Sequence, residues 1–135
     1  MFDALDISSS GLQAQRTRLD TIAANIANLN TTRNSAGQPI PYRRKFAVFA
    51  PGQASDPTQP GVHVTEISTD PSPYRKVYDP SNKDADPATG MVQFPNVDLS
   101  VEYVNALEAS RAYEANVTTM EVTKSMINAS LRLLA

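Results

Sequence analysis

The sequence predicts a mainly α-helical protein with a small β-containing middle. Two long terminal helices form a coiled-coil-like core, and a Pro-rich, irregular and β insert joins them. Three observations predict this. All ten prolines of the 135-residue chain lie between Pro39 and Pro95. A proline inside a helix costs about 3 kcal/mol, so long helices fit only in the proline-free stretches 1–38 and 96–135. In both stretches apolar residues recur every seven positions, the period of a helix–helix seam. The chain divides into an N-terminal helix region (1–32), a middle region with short strands (33–95) and a C-terminal helix region (96–135). The first and third make one discontinuous core domain.

The front helix is predicted from Asp3 to Leu29. Leu5, Leu12, Leu19 and Ile26 are spaced by seven, and Ile22 and Leu29 follow the last two at +3. These are a and d positions of a heptad. Asp3 is the candidate N-cap. Gly11 weakens the first turns. At about 1.5 Å per residue this helix is roughly 40 Å long. The back helix is predicted from Asp98 to Leu134. Leu99, Ala106, Tyr113, Met120, Ile127 and Leu134 are again spaced by seven, with Tyr103, Val117 and Leu131 on the same side. Glu108 with Arg111 and Glu121 with Lys124 are i,i+3 pairs suited to a wet face. Asp98 or Ser100, just after Pro95, starts the helix.

The middle holds three short extended candidates: Lys45 to Phe49, Val62 to Ile67 and, more weakly, Arg75 to Tyr78. β-type residues bounded by Pro and Gly mark them. So many prolines predict edge strands and long loops rather than a deep sheet.

Composition excludes several function classes. The chain has no Cys and one histidine, His63, so a disulfide scaffold, a thiolate metal site and a multi-His site have no residues to build them. The net charge of −2 lacks the basic excess of a nucleic-acid binder. No apolar run approaches the roughly 20 residues of a membrane span. The start Met-Phe-Asp-Ala-Leu-Asp has no basic region before an apolar stretch, unlike a secretory signal peptide. The five glycines are too scattered for a phosphate loop. Asp79, Asp84 and Asp86 lack the central Gly and late Glu of a calcium loop and read as a solvated turn. No paired-carboxylate constellation supports a hydrolase. The prediction is therefore no enzyme, no cofactor, no metal and no small-molecule substrate.

Two long helices with narrow apolar stripes leave a burial problem, because a small Pro-rich middle cannot cover them. Period alone fits two answers equally: an ordinary bundle within one chain, or a seam completed by neighbouring subunits. Further residues sharpen the choice. Ala23 to Thr31 reads AANIANLNT, and the back helix carries Arg111-Ala112-Tyr113-Glu114-Ala115-Asn116, then Met126 and Leu131-Arg132-Leu133. These resemble the terminal signatures of the bacterial flagellar rod and hook proteins. PYRRKFAVF (41–49), GVHVTEI (61–67), DPSPYRKVYDP (70–80), DAD (84–86) and FPNVD (94–98) resemble the short proximal rod proteins of that family. The resemblance covers essentially the whole chain. The sequence departs from the family's usual pattern at Ser81 to Lys83, Met91 and Leu107.

The resemblance implies a structural subunit of the flagellar basal-body rod, needed for motility. Its terminal helices become assembly helices, packing with those of neighbours into a hollow helical drive shaft in the periplasm. That shaft carries torque from motor to hook and passes exported subunits. The implied partners are other copies of the chain, other proximal and distal rod proteins, membrane-ring or rod-junction proteins and the type III flagellar export apparatus, which exports subunits without a cleaved signal. A soluble helical adaptor or export chaperone of the same system is the alternative. The expected assembly interface comprises Leu5, Leu12, Leu19, Ile22, Asn25, Ile26, Asn28 and Leu29 in front, and Tyr113, Asn116, Val117, Met120, Ile127 and Leu131 behind. Asn25 and Asn28 either fix register at the seam or end the helix in water. Arg43, Arg44 and Lys45 form the one basic cluster, a candidate contact for carboxylates of a neighbour.

Overall fold

The structure, a computed structural model, describes residues Phe2–Leu134. Its order is α1 (Phe2–Ala27), β1 (Lys45–Pro51), β2 (Val62–Thr69), β3 (Arg75–Tyr78), β4 (Met91–Phe94) and α2 (Leu99–Leu134). The protein is mostly helical with a small β part, as predicted.

Helix α1 begins one residue before the predicted cap, so Asp3 lies inside the first turn. There its charge faces the positive end of the helix dipole. The helix ends at Ala27, two residues earlier than predicted. Asn28 explains the stop: its Nδ2 donates to the Ala24 carbonyl (2.8 Å) and its Oδ1 accepts from the Thr31 hydroxyl (3.1 Å). A side chain bonded to nearby backbone competes with the helical ladder. Helix α2 starts as predicted. The Asp98 carboxylate accepts from the backbone N–H groups of Ser100 (2.8 Å) and Val101 (3.3 Å), an N-cap.

The helices run antiparallel. A Cβ on Gly11 would sit 2.9 Å from the Asn116 amide nitrogen, Arg18 pairs with Glu108, and Asn25 bonds Glu102. Each pair's residue numbers total 126 or 127, so Phe2 lies level with about residue 125. The last turns of the 36-residue α2 therefore extend beyond the 26-residue α1.

Strands β1 and β2 form an antiparallel ribbon with a register shift between Val48 and Phe49. Both strands lie against α1. β3 pairs with β4 in a second two-stranded ribbon. β4 was not predicted; four residues after an Asp- and Pro-rich stretch carry little strand signal. Every strand is an edge strand, in agreement with the proline content. Under the β3–β4 ribbon lies a small core of Val92, Pro95 and Val97.

Candidate assembly interface

The most constrained part of the molecule is a polar clamp where α1 ends, α2 begins and the middle region joins both. At its centre are two residues with no exposed surface, Asn25 and Glu102. Asn25 lies in the last turns of α1 and uses its whole amide. Its Oδ1 accepts from the Lys45 backbone N–H (2.9 Å) and the Tyr42 hydroxyl (3.0 Å). Its Nδ2 donates to the Lys45 carbonyl (2.7 Å) and to Glu102 Oε2 (3.1 Å). One amide thereby satisfies both backbone groups of the first β1 residue, which an edge strand would otherwise leave open.

Glu102 faces inward from the first turn of α2. Its Oε1 accepts from Arg44 Nε at 2.6 Å, a charge-assisted bond. Arg44 also reaches Asp70 (3.4 Å), and its backbone N–H donates to Asn96 Oδ1 (2.8 Å). The Asn96 amide in turn donates to the carbonyls of Asp70 and Ser72, both at 3.2 Å. These bonds lock the β2–β3 connection to the start of α2. Burial raises the Tyr42 phenol above its usual pKa, and the nearby Glu102 carboxylate adds to the rise. The Asp70 carboxyl is held below the usual range, first by the Ser72 hydroxyl and backbone N–H, then by Arg44. A second tie joins loops far apart in sequence: Asp84 accepts from Arg33 and from the Thr32 hydroxyl (2.8 Å). Arg33 first, then Thr32, hold its carboxyl low.

The basic cluster is thus largely engaged inside the chain. Arg43 donates to the carbonyls of Asp70 and Ser72 (both 3.0 Å) and stacks over Tyr74 at 4.4 Å. Arg44 serves Glu102. Only Lys45 stays exposed; its Nζ lies 5.7 Å from the Tyr42 ring centre, and it makes no ion pair among the described residues.

The residues expected at the assembly interface are buried to different degrees. Ile22 is buried. Leu5, Leu12, Leu19, Ile26 and Leu29 are half-buried, as are Asn28, Asn116, Val117, Met120 and Ile127. Tyr113 and Leu131 are exposed. The contacts that fix how α1 pairs with α2 run through small and polar residues. On α1 they follow Gly11, Arg18 and Asn25; on α2 they follow Glu102, Ala109 and Asn116. Both rows also keep a seven-residue spacing. The apolar surface left outside these contacts is extensive on α2: Val104, Leu107, Met126, Leu131, Leu133 and Leu134 are all more than half exposed.

Sequence reasoning missed Glu102, Asn96, Tyr42 and Asp70. Nothing local marks a glutamate for burial; its partner is Arg44, far away in sequence. The one usable signal was the period, since Glu102, Ala109 and Asn116 fall seven apart. Among the described residues no group of three or more His, Cys, Asp or Glu could hold a metal ion. No helix is long and apolar enough to cross a membrane. His63 is on β2, with Nδ1 2.9 Å from the Gly52 carbonyl, an ordinary structural contact.

Comparison with known proteins agrees with this architecture. Residues 5–33 match the family described as "Flagella basal body rod protein", and residues 88–133 match "Flagellar basal body rod FlgEFG protein C-terminal". The first segment covers α1 and the turn after it; the second covers β4 and α2. Among curated relatives, the "Flagellar basal-body rod protein FlgC" of Yersinia enterocolitica is 42% identical, covering 98% of this chain and 97% of its own length. The FlgC proteins of Salmonella typhimurium (41%) and Bacillus subtilis (40%) match over the same shares. All are structural proteins rather than enzymes. The chain belongs to the FlgC family of flagellar basal-body rod proteins and is a structural subunit of the rod, assembling with other rod components in the flagellar basal body.

Proposed function

We propose that the chain works as two joined parts: an assembly core made of 1–32 and 96–135, and a middle region, 33–95, carried on its outside. The apolar stripes Leu5, Leu12, Leu19, Ile22, Ile26 and Leu29, with Tyr113, Val117, Met120, Ile127 and Leu131, complete their burial against neighbouring subunits. Asn116 sits at the internal seam. Asn25 acts in the clamp and Asn28 at the helix end, both within the chain. The polymer is the hollow periplasmic shaft that carries torque from motor to hook and passes exported subunits. Its partners are copies of the chain, proximal and distal rod proteins and the proteins at the membrane-ring junction. Subunits reach the site through the type III flagellar export apparatus without a cleaved signal.

The observation that supports this reading is the end of α2. Past the level of Phe2 it has no helix beside it, and Leu133 and Leu134 are 88% and 85% exposed. Burying an apolar side chain of this size contributes about 1.5–3 kcal/mol. Association costs an estimated ~4–15 kcal/mol. The overhang of one subunit therefore roughly offsets the cost and cannot dominate it. Stable association needs the longer stripes as well, hence several neighbours at once, which favours a polymer over a dimer.

The test is a Leu131→Asp, Leu133→Asp double variant. Both positions are exposed, so the midpoint of thermal unfolding of the isolated chain stays within the range of surface substitutions, about ±0.5 kcal/mol each. In flagellated cells the variant chain is recovered outside the basal body and swimming is lost. Normal rods and swimming in that variant would remove the proposed role of this surface.

A further inference from the structure

Among the described residues, one cleft brings cations beside open aromatic surface. It lies beside the clamp, between α1, β1 and the first turns of α2. Ile22 and Thr21 line one side, Phe46 and Phe49 another, with Arg18, Lys45 and Asn105 among the residues at its edges, and its volume is about 260 Å3. Phe46 and Phe49 are 38% and 37% exposed, unusual for phenylalanines beside an apolar floor. A liquid water occupies about 30 Å3, so the cleft has room for one or two side chains and not for a helix.

The opposite end of the helix pair carries matching chemistry. Asp3, Asp6 and Ile7 lie at i, i+3 and i+4, on one face of α1. The two aspartates are exposed, Ile7 is 43% exposed, and no Lys or Arg occurs before Arg16. Asp6 also lines an open cleft against the turn of the β1–β2 ribbon, with Gln53, Ala54 and Ser55 among the residues of that cleft, and Ser10 accepts from the Val62 N–H beside it. Ile7 is about 22 Å and Asp3 about 28 Å along the helix from the level of Ile22, so a chain cannot fill its own cleft.

The geometry points to the start of α1 from a second copy of this chain as the occupant: Ile7 enters between Phe46 and Phe49, and Asp3 and Asp6 approach Lys45, while Arg18 keeps its pair with Glu108. This deepens the proposed function and rests on it. A contact that joins one end of a molecule to the other end of the next does not close on itself, so it propagates. Of the three residues in the basic cluster it uses the one left unpaired. The acidic start and the cation-edged cleft also set polarity, because two starts or two clefts facing each other place like charges together.

The absence of native cysteine makes a direct test clean. An Ile7→Cys, Phe49→Cys variant of the full chain replaces the native copy in flagellated cells, and isolated basal bodies are oxidised. A disulfide needs Cα atoms within about 7 Å, so these sites cannot bridge within one chain. The expected result is a ladder of disulfide-linked copies, absent from each single variant. Variant chain present in basal bodies without a ladder, or Phe49→Cys captured by a different rod protein, overturns the inference. Wild-type chain missing from basal bodies overturns the rod reading itself. A second arm keeps the inference testable if the cysteine variant does not enter rods. In sedimentation of the purified full chain, Lys45→Glu weakens self-association by about tenfold, and adding Asp3→Lys with Asp6→Lys restores it. No change in the first variant, or no rescue in the second, overturns it.

Discussion

Removing Arg44 should unfold the clamp out of proportion to one lost contact. The Glu102 side chain has no exposed surface, and Arg44 Nε at 2.6 Å is its only charged partner. In Arg44→Leu the carboxylate keeps one neutral donor, Asn25 Nδ2 at 3.1 Å. Breaking a buried ion pair on one side costs about 3–5 kcal/mol, because a charge is left buried and uncompensated. That is a large part of the ~5–15 kcal/mol that holds a domain folded. For a chain of this size it corresponds to about 10–20 °C in Tm. Removing both members has a different outcome. The Arg44→Leu, Glu102→Leu double variant leaves no buried charge. It loses the long Arg44–Asp70 contact, worth up to about 1 kcal/mol at a partly exposed site, and one of two acceptors of the Asn25 amide. The double variant should therefore fall within about 2 kcal/mol of wild type and be more stable than Arg44→Leu alone. Urea unfolding followed by tyrosine fluorescence reads this well, since the chain has five tyrosines and no tryptophan, and Tyr42 sits in the clamp. A single-variant loss below about 1 kcal/mol, or a double variant no more stable than the single, would refute the reasoning.

Acid should loosen the loop ties. The carboxyls of Asp70 and Asp84 are lowered in the folded chain, so the stability they contribute is complete above the unfolded value near pH 3.9 and declines as pH falls below about 4 toward the folded values. Asp84→Asn should flatten that acid limb in a pH series of unfolding midpoints; an unchanged limb would show that the tie carries no linked proton. At the ribbon's turn, Gly52 has φ of +90°, and a Cβ there would lie 2.6 Å from the Pro57 carbonyl oxygen. Gly52→Ala should cost about 1–3 kcal/mol, measured by chemical denaturation, and a neutral result would mean that the turn at 52–57 relaxes freely.

The placement of the elements was legible because it rests on rules with few exceptions. Proline cannot sit inside α1 or α2, and Asp98 or Ser100 after Pro95 marks a helix start. Three strands were readable from β-branched and aromatic residues between turn signals. The fourth, Met91–Phe94, takes its strand form from pairing with β3, which is a tertiary cause. Helix ends were less legible: Asn28 read equally as a register residue or a helix end, and it stops α1 through its own side chain. Among site residues, the large apolar stripes were visible in the sequence, but not the face that pairs inside the chain. That face depends on Glu102 meeting Arg44 and on Asn25 meeting the backbone of Lys45, contacts between segments that the sequence keeps far apart.

The division between the two faces has a physical consequence for a rod subunit that joins others. If the large apolar rows paired α1 with α2, the hairpin would bury its best surface internally, and little would remain to drive association. Here Gly11, Asn25, Glu102 and Asn116 stand where the pair meets, Ile22 is buried, and Val104, Leu107, Leu131, Leu133 and Leu134 of α2 stay more than half exposed. Polar contacts are geometrically demanding and contribute little beyond about 1 kcal/mol each unless buried and charged. They therefore fix the register of the pair, through the clamp at one end, without a large hydrophobic gain along its length. Apolar contacts are the reverse: strong by area and tolerant of geometry. In the proposed assembly, polar contacts inside the chain fix the pair and apolar surface outside it meets several neighbours. This division also explains why the one fully buried charge lies where the middle region must keep a fixed angle to both helices.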